Sequence, residues 1–396
     1  MGKRSVTDYP VAGKRVFLRV DFNVPLQDGR VADDTRIKAA LPTIRYLVER
    51  GCPVVLASHL GRPKGQVVAG LSMGPVADRL GELMGREVRA AGDCVGAEVE
   101  AAAKALPPGG LLLLENLRFH KEETDNDPAF AKRLASLAQV YVNDAFGAAH
   151  RAHASTEGIA RFLPAVAGLL MQKEIEILGK LLHEPARPFV VLLGGVKVSD
   201  KIGVIEAMLC KADSLLIGGA MCFTFFKVEG KEVGRSKLEE DKLDVARQAL
   251  DAAASSACEF LLPRDVVVAA EPAAGAAART VVADAIPPDE MGLDIGPATV
   301  VTFAERITAA GAVFWNGPMG LFEIDEFADG TRAVGEAVAA CPGTSVVGGG
   351  DTVSAVRRFG LEQKITHVST GGGASMEFLE GRPLPGVEAL LDAENR

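Results

Sequence analysis

The chain has no stretch approaching the roughly 18 continuous apolar residues that a membrane-spanning helix needs. Its N-terminal MGKRSVTDYPVAGKRVFLRV is basic but has no apolar core and no small-residue cleavage site, so no signal peptide is expected. CxxC is missing too: the six cysteines, at 52, 94, 210, 222, 258 and 341, are scattered. They read as reduced, mostly buried small hydrophobes of a cytoplasmic protein, not as a disulfide or zinc framework. Basic residues are not in excess: 43 Lys and Arg face 52 Asp and Glu, a formal net charge of −9. That balance excludes the broad basic face of a general nucleic-acid binder and leaves room for a local basic pocket that takes a small anion. Neither GxxxxGK[ST] nor GxGxxG occurs, so the P-loop and the usual dinucleotide fingerprint are both absent.

What is present is enough for substantial cores. Hydrophobic residues make up 48% and charged ones 24%, which excludes wholesale disorder. At about 150 residues per domain, 396 residues predict two or three domains. The charge is unevenly divided. Residues 1–180 carry 24 Lys and Arg against 21 Asp and Glu, whereas residues 181–396 carry 19 against 31. Two bodies with different ligands are expected.

Short apolar runs alternate with helical patterns. Val16–Val20, Pro53–Ala57, Leu111–Leu114, Val140–Val142, Phe189–Leu193, Ser214–Ile217, Ala312–Trp315, Ser345–Val347 and His367–Ser369 read as strands. Thr35–Arg50 and about Pro128–Leu137 read as helices. The strand runs are continuous rather than alternating, as in parallel strands buried on both faces. Their order predicts two doubly wound, Rossmann-like, three-layer parallel-sheet α/β domains. Leu169–His183 has the spacing of one long helix, ended by Pro185 and Pro188. An ordinary crossover helix and an interdomain helix are both open. Strand series on either side favour the second, with domains at 1–168 and 185–385.

In the first half, chemistry-bearing residues follow strand ends, where open α/β sheets place ligands. RVDFNVP offers Asp21 and Asn23, and Arg36 opens the next helix. SHLGRP offers His59 and Arg62, ENLRF offers Arg118, and NDAFGAAHRAHAS offers His150, Arg151 and His153. Any one arginine alone reads as a solvated surface residue. Four beside Gly, Pro, Asn or a strand end read as a pocket for a small dianion, because the planar guanidinium binds carboxylate and phosphate bidentately. His150 and His153 lack the partners of a metal site, so a structural or gating role is expected of them, and hydrogen-bond donation of His59.

In the second half the glycines cluster after strands: GGVKVSDK with Lys197 and Lys201, IGGAM, MGLDIGP, WNGPMGLFE, GGGDT and STGGGAS. A lone glycine pair is a turn. Repeated pairs at successive strand ends allow backbone amides to approach a phosphate. Asp351 suits Mg²⁺, which takes one or two carboxylates plus phosphate oxygens. Glu323 could accept from ribose hydroxyls, and Lys201 could neutralise a phosphoryl group in flight.

RVDFNVP, SHLGRP, ENLRF, AHRAHAS, GGVKVSDKI, WNGPMGLFE, GGGDT and STGGGAS, in this order and over essentially the whole chain, resemble the phosphoglycerate kinase family. The resemblance implies reversible transfer of the 1-phosphoryl group of 1,3-bisphosphoglycerate to MgADP in glycolysis and gluconeogenesis. It implies a hinged monomer whose tail, 386–396, returns to the first domain. By that resemblance Asp21, Asn23, Arg36, His59, Arg62, Arg118 and Arg151 hold 3-phosphoglycerate. Arg36, Lys201 and the amides of Gly371 and Gly372 face the transferring group. Gly195, Lys197, Lys201, Gly218, Gly219, Gly292, Gly317, Met319, Glu323, Gly350, Asp351 and Thr352 line the ATP/ADP site, with Asp351 meeting Mg²⁺. Val196 and Cys222 depart from the family pattern, where small residues such as alanine are common. Other two-domain kinases acting on carboxylates fit poorly with SHLGRP and RVDFNVP. A dinucleotide-dependent oxidoreductase lacks its fingerprint. A non-catalytic binding protein would not need Arg36, Lys201 and Asp351 together.

Overall fold

The structure is a computed structural model that describes residues 2–393. The chain folds as two compact units: one runs up to Glu176 and resumes at Pro383, and the other is Ile177–Arg382. The division falls inside the helix Leu169–His183, which is continuous.

The first unit contains β1 (Val16–Arg19), a short ribbon of β2 (Leu26–Gln27) and β3 (Arg30–Val31), then β4 (Val54–Ala57), β5 (Arg89–Ala90), β6 (Leu111–Leu113), β7 (Val140–Asn143) and β8 (Ala165–Ala167). Six of these form one sheet in the order β5-β6-β4-β1-β7-β8, and every pairing in it is parallel. β1, β4, β6 and β7 are buried along their whole length, which explains their unbroken apolar runs. The core joins Val16, Leu18, Val54, Leu56, Leu111 and Val142 to Ile37, Ile44 and Leu47 of the helix Thr35–Glu49. β1 connects onward toward β4 while β7 connects the other way to β8, so the strand order reverses between β1 and β7.

The end of the chain is tied to this same unit. Asn143 donates to the Gly386 carbonyl at 3.0 Å, Gly386 donates to the Ala149 carbonyl at 2.8 Å, and Leu391 donates to that of Ala165 at 2.9 Å. Residues 394–396 of the expected returning tail, and Met1 at the other end, lie outside the described residues.

The second unit contains β9 (Phe189–Leu193), β10 (Ser214–Ile217), β11 (Glu259–Leu261), β12 (Asp265–Ala269), β13 (Arg279–Val282), β14 (Met291–Ile295), β15 (Ala312–Asn316), β16 (Thr344–Gly348) and β17 (His367–Val368). Its six-stranded parallel sheet has the order β11-β10-β9-β15-β16-β17, and the order reverses between β9 and β15. The core centres on Trp315, with Leu192, Leu216, Phe303, Val338 and Val347.

β12, β13 and β14 form a separate antiparallel sheet that the sequence reading did not anticipate. β14 carries Gly292 and Asp294 and alternates in burial, so its sequence reads as a glycine turn. Among the described residues no helix is long and apolar enough to cross a membrane.

Candidate active site

Both parallel sheets gather the chemistry at their carboxyl ends. In the first unit, Asp21 lies just beyond β1. Its Oδ2 accepts from Arg36 Nη1 at 3.0 Å, and Asn23 Oδ1 accepts the Gly61 amide at 2.9 Å. The Arg36 side chain keeps 40% of its exposure, so it is held at one end and open at the other. His59 leaves β4 and is buried, with Arg19 Nη2 3.2 Å from its Nδ1. Arg118 is buried after β6 and donates to the Gly61 carbonyl at 2.8 Å. Arg151 follows β7, and its Nε lies 3.1 Å from His150 Nε2.

These cations feel one another. Burial, and then Arg19, Arg118, Arg36 and Arg151, hold His59 well below the usual histidine range. Burial and the neighbouring Arg151 and Arg19 bring Arg118 down to about 10, still charged at neutral pH. Burial and the same arginines bring His153 down to about 3, so it is neutral although Glu123 Oε1 is 3.7 Å away. Packing this much positive charge together is unfavourable without a counter-anion, so a small dianion would gain strongly here. Arg62 stands apart: it is on the Gly61 turn and exposed. Sequence reading missed Arg19 and Glu123, both wholly buried here. A charged residue inside the apolar run VFLRV was the one signal for Arg19.

In the second unit the loops after β9 and β15 meet at the strand-order reversal. The Gly194 amide donates to the Asn316 carbonyl, and the Gly195 amide to that of Pro318, each at 3.0 Å. This close approach needs glycine. At Gly219, with φ +66°, a Cβ would sit 2.4 Å from Gly195 N. Around this crossing lies a polar cleft of about 610 Å³, lined in part by Gly195, Lys197, Lys201, Gly317, Gly350, Asp351, Thr352 and Gly372. An apolar pocket of about 500 Å³ shares Gly195, Val196, Pro318 and Asp351 with it. Gly219, Cys222, Phe223, Gly292, Met319 and Glu323 also line that pocket. Gly292 admits the Phe223 ring, whose Cζ would lie 2.1 Å from any Cβ there. Of the two departures from the family pattern, Cys222 is buried in the pocket wall and Val196 is exposed at its rim.

Lys201 precedes the helix Ile202–Leu209 and donates to Asn316 Oδ1. Burial lowers its pKa to about 8, against the opposing pull of Asp200 and Asp351. Asp351 lies in the first turn of the helix Gly350–Arg358 and is exposed to the cleft. No group of three metal-ligating side chains surrounds it among the described residues. One carboxylate beside a phosphate-sized cleft fits Mg²⁺ that shares its coordination with a polyphosphate.

Three of the expected residues have scaffold contacts. The Thr352 hydroxyl accepts the Gly317 amide at 2.6 Å, so it braces the loop after β15. The Gly371 amide is buried and donates to Ser369 Oγ at 3.2 Å, and Gly372 alone of that pair lines the cleft. Gly218 also stays out of the lining; without a Cβ it lets Met319 Sδ pack close.

The chain is also similar to known proteins. The family model described as phosphoglycerate kinase matches residues 6–382. The chain is 58% identical over 392 residues to a phosphoglycerate kinase of Moorella thermoacetica, covering 99% of this chain and 100% of that one. It is 57% identical to one of Pelotomaculum thermopropionicum with the same coverage. Among solved structures it resembles phosphoglycerate kinase from Coxiella burnetii, with a TM-score of 0.90, 41% identity and 98% of each chain covered. That from Pyrococcus horikoshii OT3 gives a TM-score of 0.85 at 34% identity, again with 98% of each chain covered. This chain belongs to the phosphoglycerate kinase family.

Proposed function

We propose that the chain catalyses reversible phosphoryl transfer between 1,3-bisphosphoglycerate and MgADP, giving 3-phosphoglycerate and MgATP, as a cytoplasmic monomer of glycolysis and gluconeogenesis. The observation that carries this reading is the division of labour along one chain. One sheet end gathers arginines, and the other pairs a polar cleft with an apolar pocket.

In this reading His59, Arg62, Arg118 and Arg151 hold the triose anion, and Asp21 and Asn23 orient it. Arg36, tethered by Asp21, presents its free edge to the transferring group. The apolar pocket takes the base, with Glu323 at the ribose. Gly195, Gly317, Gly350 and Lys197 face the phosphates. Asp351 would hold Mg²⁺, which supplies charge neutralisation on the phosphate oxygens when bound. Lys201 neutralises the phosphoryl group as it moves, with the Gly372 amide beside it. Such transfer needs in-line positioning and charge stabilisation and no protein nucleophile. Because the triose and nucleotide residues lie in different units, transfer requires closure about the helix Leu169–His183. Incubation of folded protein with MgATP and 3-phosphoglycerate tests the reading: ADP must form, and its absence refutes it.

A further inference from the structure

Arg19 closes β1 with its side chain wholly buried. A buried guanidinium has to find acceptors, because it cannot lose its charge. Its Nη1 donates to the Val20 carbonyl, and its Nε donates to Ser155 Oγ at 2.8 Å. The Ser155 hydroxyl has one proton. The guanidinium cannot accept it, and it goes to Glu123 Oε1 at 2.6 Å. The Ser155 amide donates to the other Glu123 oxygen at 2.9 Å. Glu123 is likewise wholly buried, so its carboxylate and the Arg19 cation compensate one another through the serine. Burial raises the Glu123 pKa, and Arg19 opposes that rise.

The remaining contact decides the state of His59. Arg19 Nη2 is 3.2 Å from His59 Nδ1. A guanidinium offers only protons, so Nδ1 must be the acceptor and carry none. The ring proton is therefore on Nε2, and a doubly protonated ring would set N–H against N–H. Nε2 has no protein partner among the described residues, which leaves its proton for a ligand.

We propose that Glu123 and Ser155 are positioning residues that, through Arg19, lock His59 as the neutral Nε2–H tautomer, so that it gives the triose anion one directed neutral hydrogen bond. This rests on the reading that His59 faces that substrate. The charge for binding then comes from the arginines, and His59 supplies direction.

The test has two parts. In ¹⁵N-histidine-labelled protein without substrate, the His59 ring, assigned by its loss in His59→Gln, should show a protonated Nε2 and an unprotonated Nδ1 at neutral pH. An Nδ1–H or doubly protonated ring overturns the proposal. Ser155→Ala removes the bridge and leaves both charged partners in place. It should mix the two tautomers and raise KM for 3-phosphoglycerate by about three- to tenfold, the worth of one neutral hydrogen bond. KM for MgATP should not change. Glu123→Gln should act in the same direction. A folded Ser155→Ala protein with the wild-type ring spectrum and wild-type KM also overturns it. The ring spectrum needs no turnover. Failure of the enzymatic reading would appear as an inactive wild type, independently of the tautomer.

Discussion

Lys201 offers the sharpest quantitative test. Its pKa stands at about 8 against an ordinary 10.5, chiefly because it is buried. At 1.36 kcal/mol per unit, keeping its charge in this buried position costs about 3 kcal/mol. A bound polyphosphate should return that cost and draw a proton onto the amine. At pH 8.5 about a quarter of free chains carry the charge, and nearly all should carry it once nucleotide restores the pKa, so about 0.7 proton is taken up per MgADP bound. Phosphate itself does not titrate there, its second ionisation lying near about 6. Titration calorimetry at pH 8.5, in two buffers of different ionisation enthalpy, reads the uptake directly. Lys201→Arg should bind without it, because arginine is already charged. Binding with no proton uptake anywhere between pH 7.5 and 10.5 would refute the placement of Lys201 at the phosphates. The sign extends to stability. Between about pH 8 and 10.5 the unfolded chain holds this proton more tightly than the folded one, so this group alone makes stability rise with pH across that window.

Other outcomes follow from the same geometry. Arg36→Ala should lower kcat by at least about a hundredfold, the usual loss on removing a transition-state charge stabiliser, with the fold kept by circular dichroism; a near-normal kcat contradicts its role. Asp351→Asn should raise the Mg²⁺ concentration needed for half-maximal rate and leave KM for 3-phosphoglycerate alone, and an unchanged Mg²⁺ requirement removes Asp351 as the metal's carboxylate. Small-angle scattering should show compaction when both substrates are present, and an identical profile with and without them argues against closure.

Much of this arrangement is legible in the sequence because parallel strands buried on both faces announce themselves. VFLR, VVLA, LLL and FVVLL are continuous apolar runs, and the residues that follow them sit at the ligand-bearing edge. Arg118 and Asp351 stand out there, among glycine and asparagine at a strand's end. Arg19 does not, since an arginine in an apolar strand reads as pointing to solvent, whereas here it is wholly buried. Glu123 lies in the acidic run KEETD and reads as surface charge, although burial and the Ser155 contacts make it part of the interior. The antiparallel sheet of β12–β14 was hidden because its strands carry glycine, aspartate and half-exposed positions. The Gly371 amide turns back to Ser369 Oγ two residues earlier, a local turn that the run of glycines alone does not reveal.

The central claim is that a carboxyl oxygen of 3-phosphoglycerate takes the phosphoryl group, and trapping the product tests it most directly. With folded protein, MgATP, 3-phosphoglycerate and hydroxylamine, an acyl phosphate formed on that carboxyl should be captured as a hydroxamate in step with ADP release, and Lys201→Ala should slow both by at least about a hundredfold. ADP release without hydroxamate, or no release at all, would contradict the account.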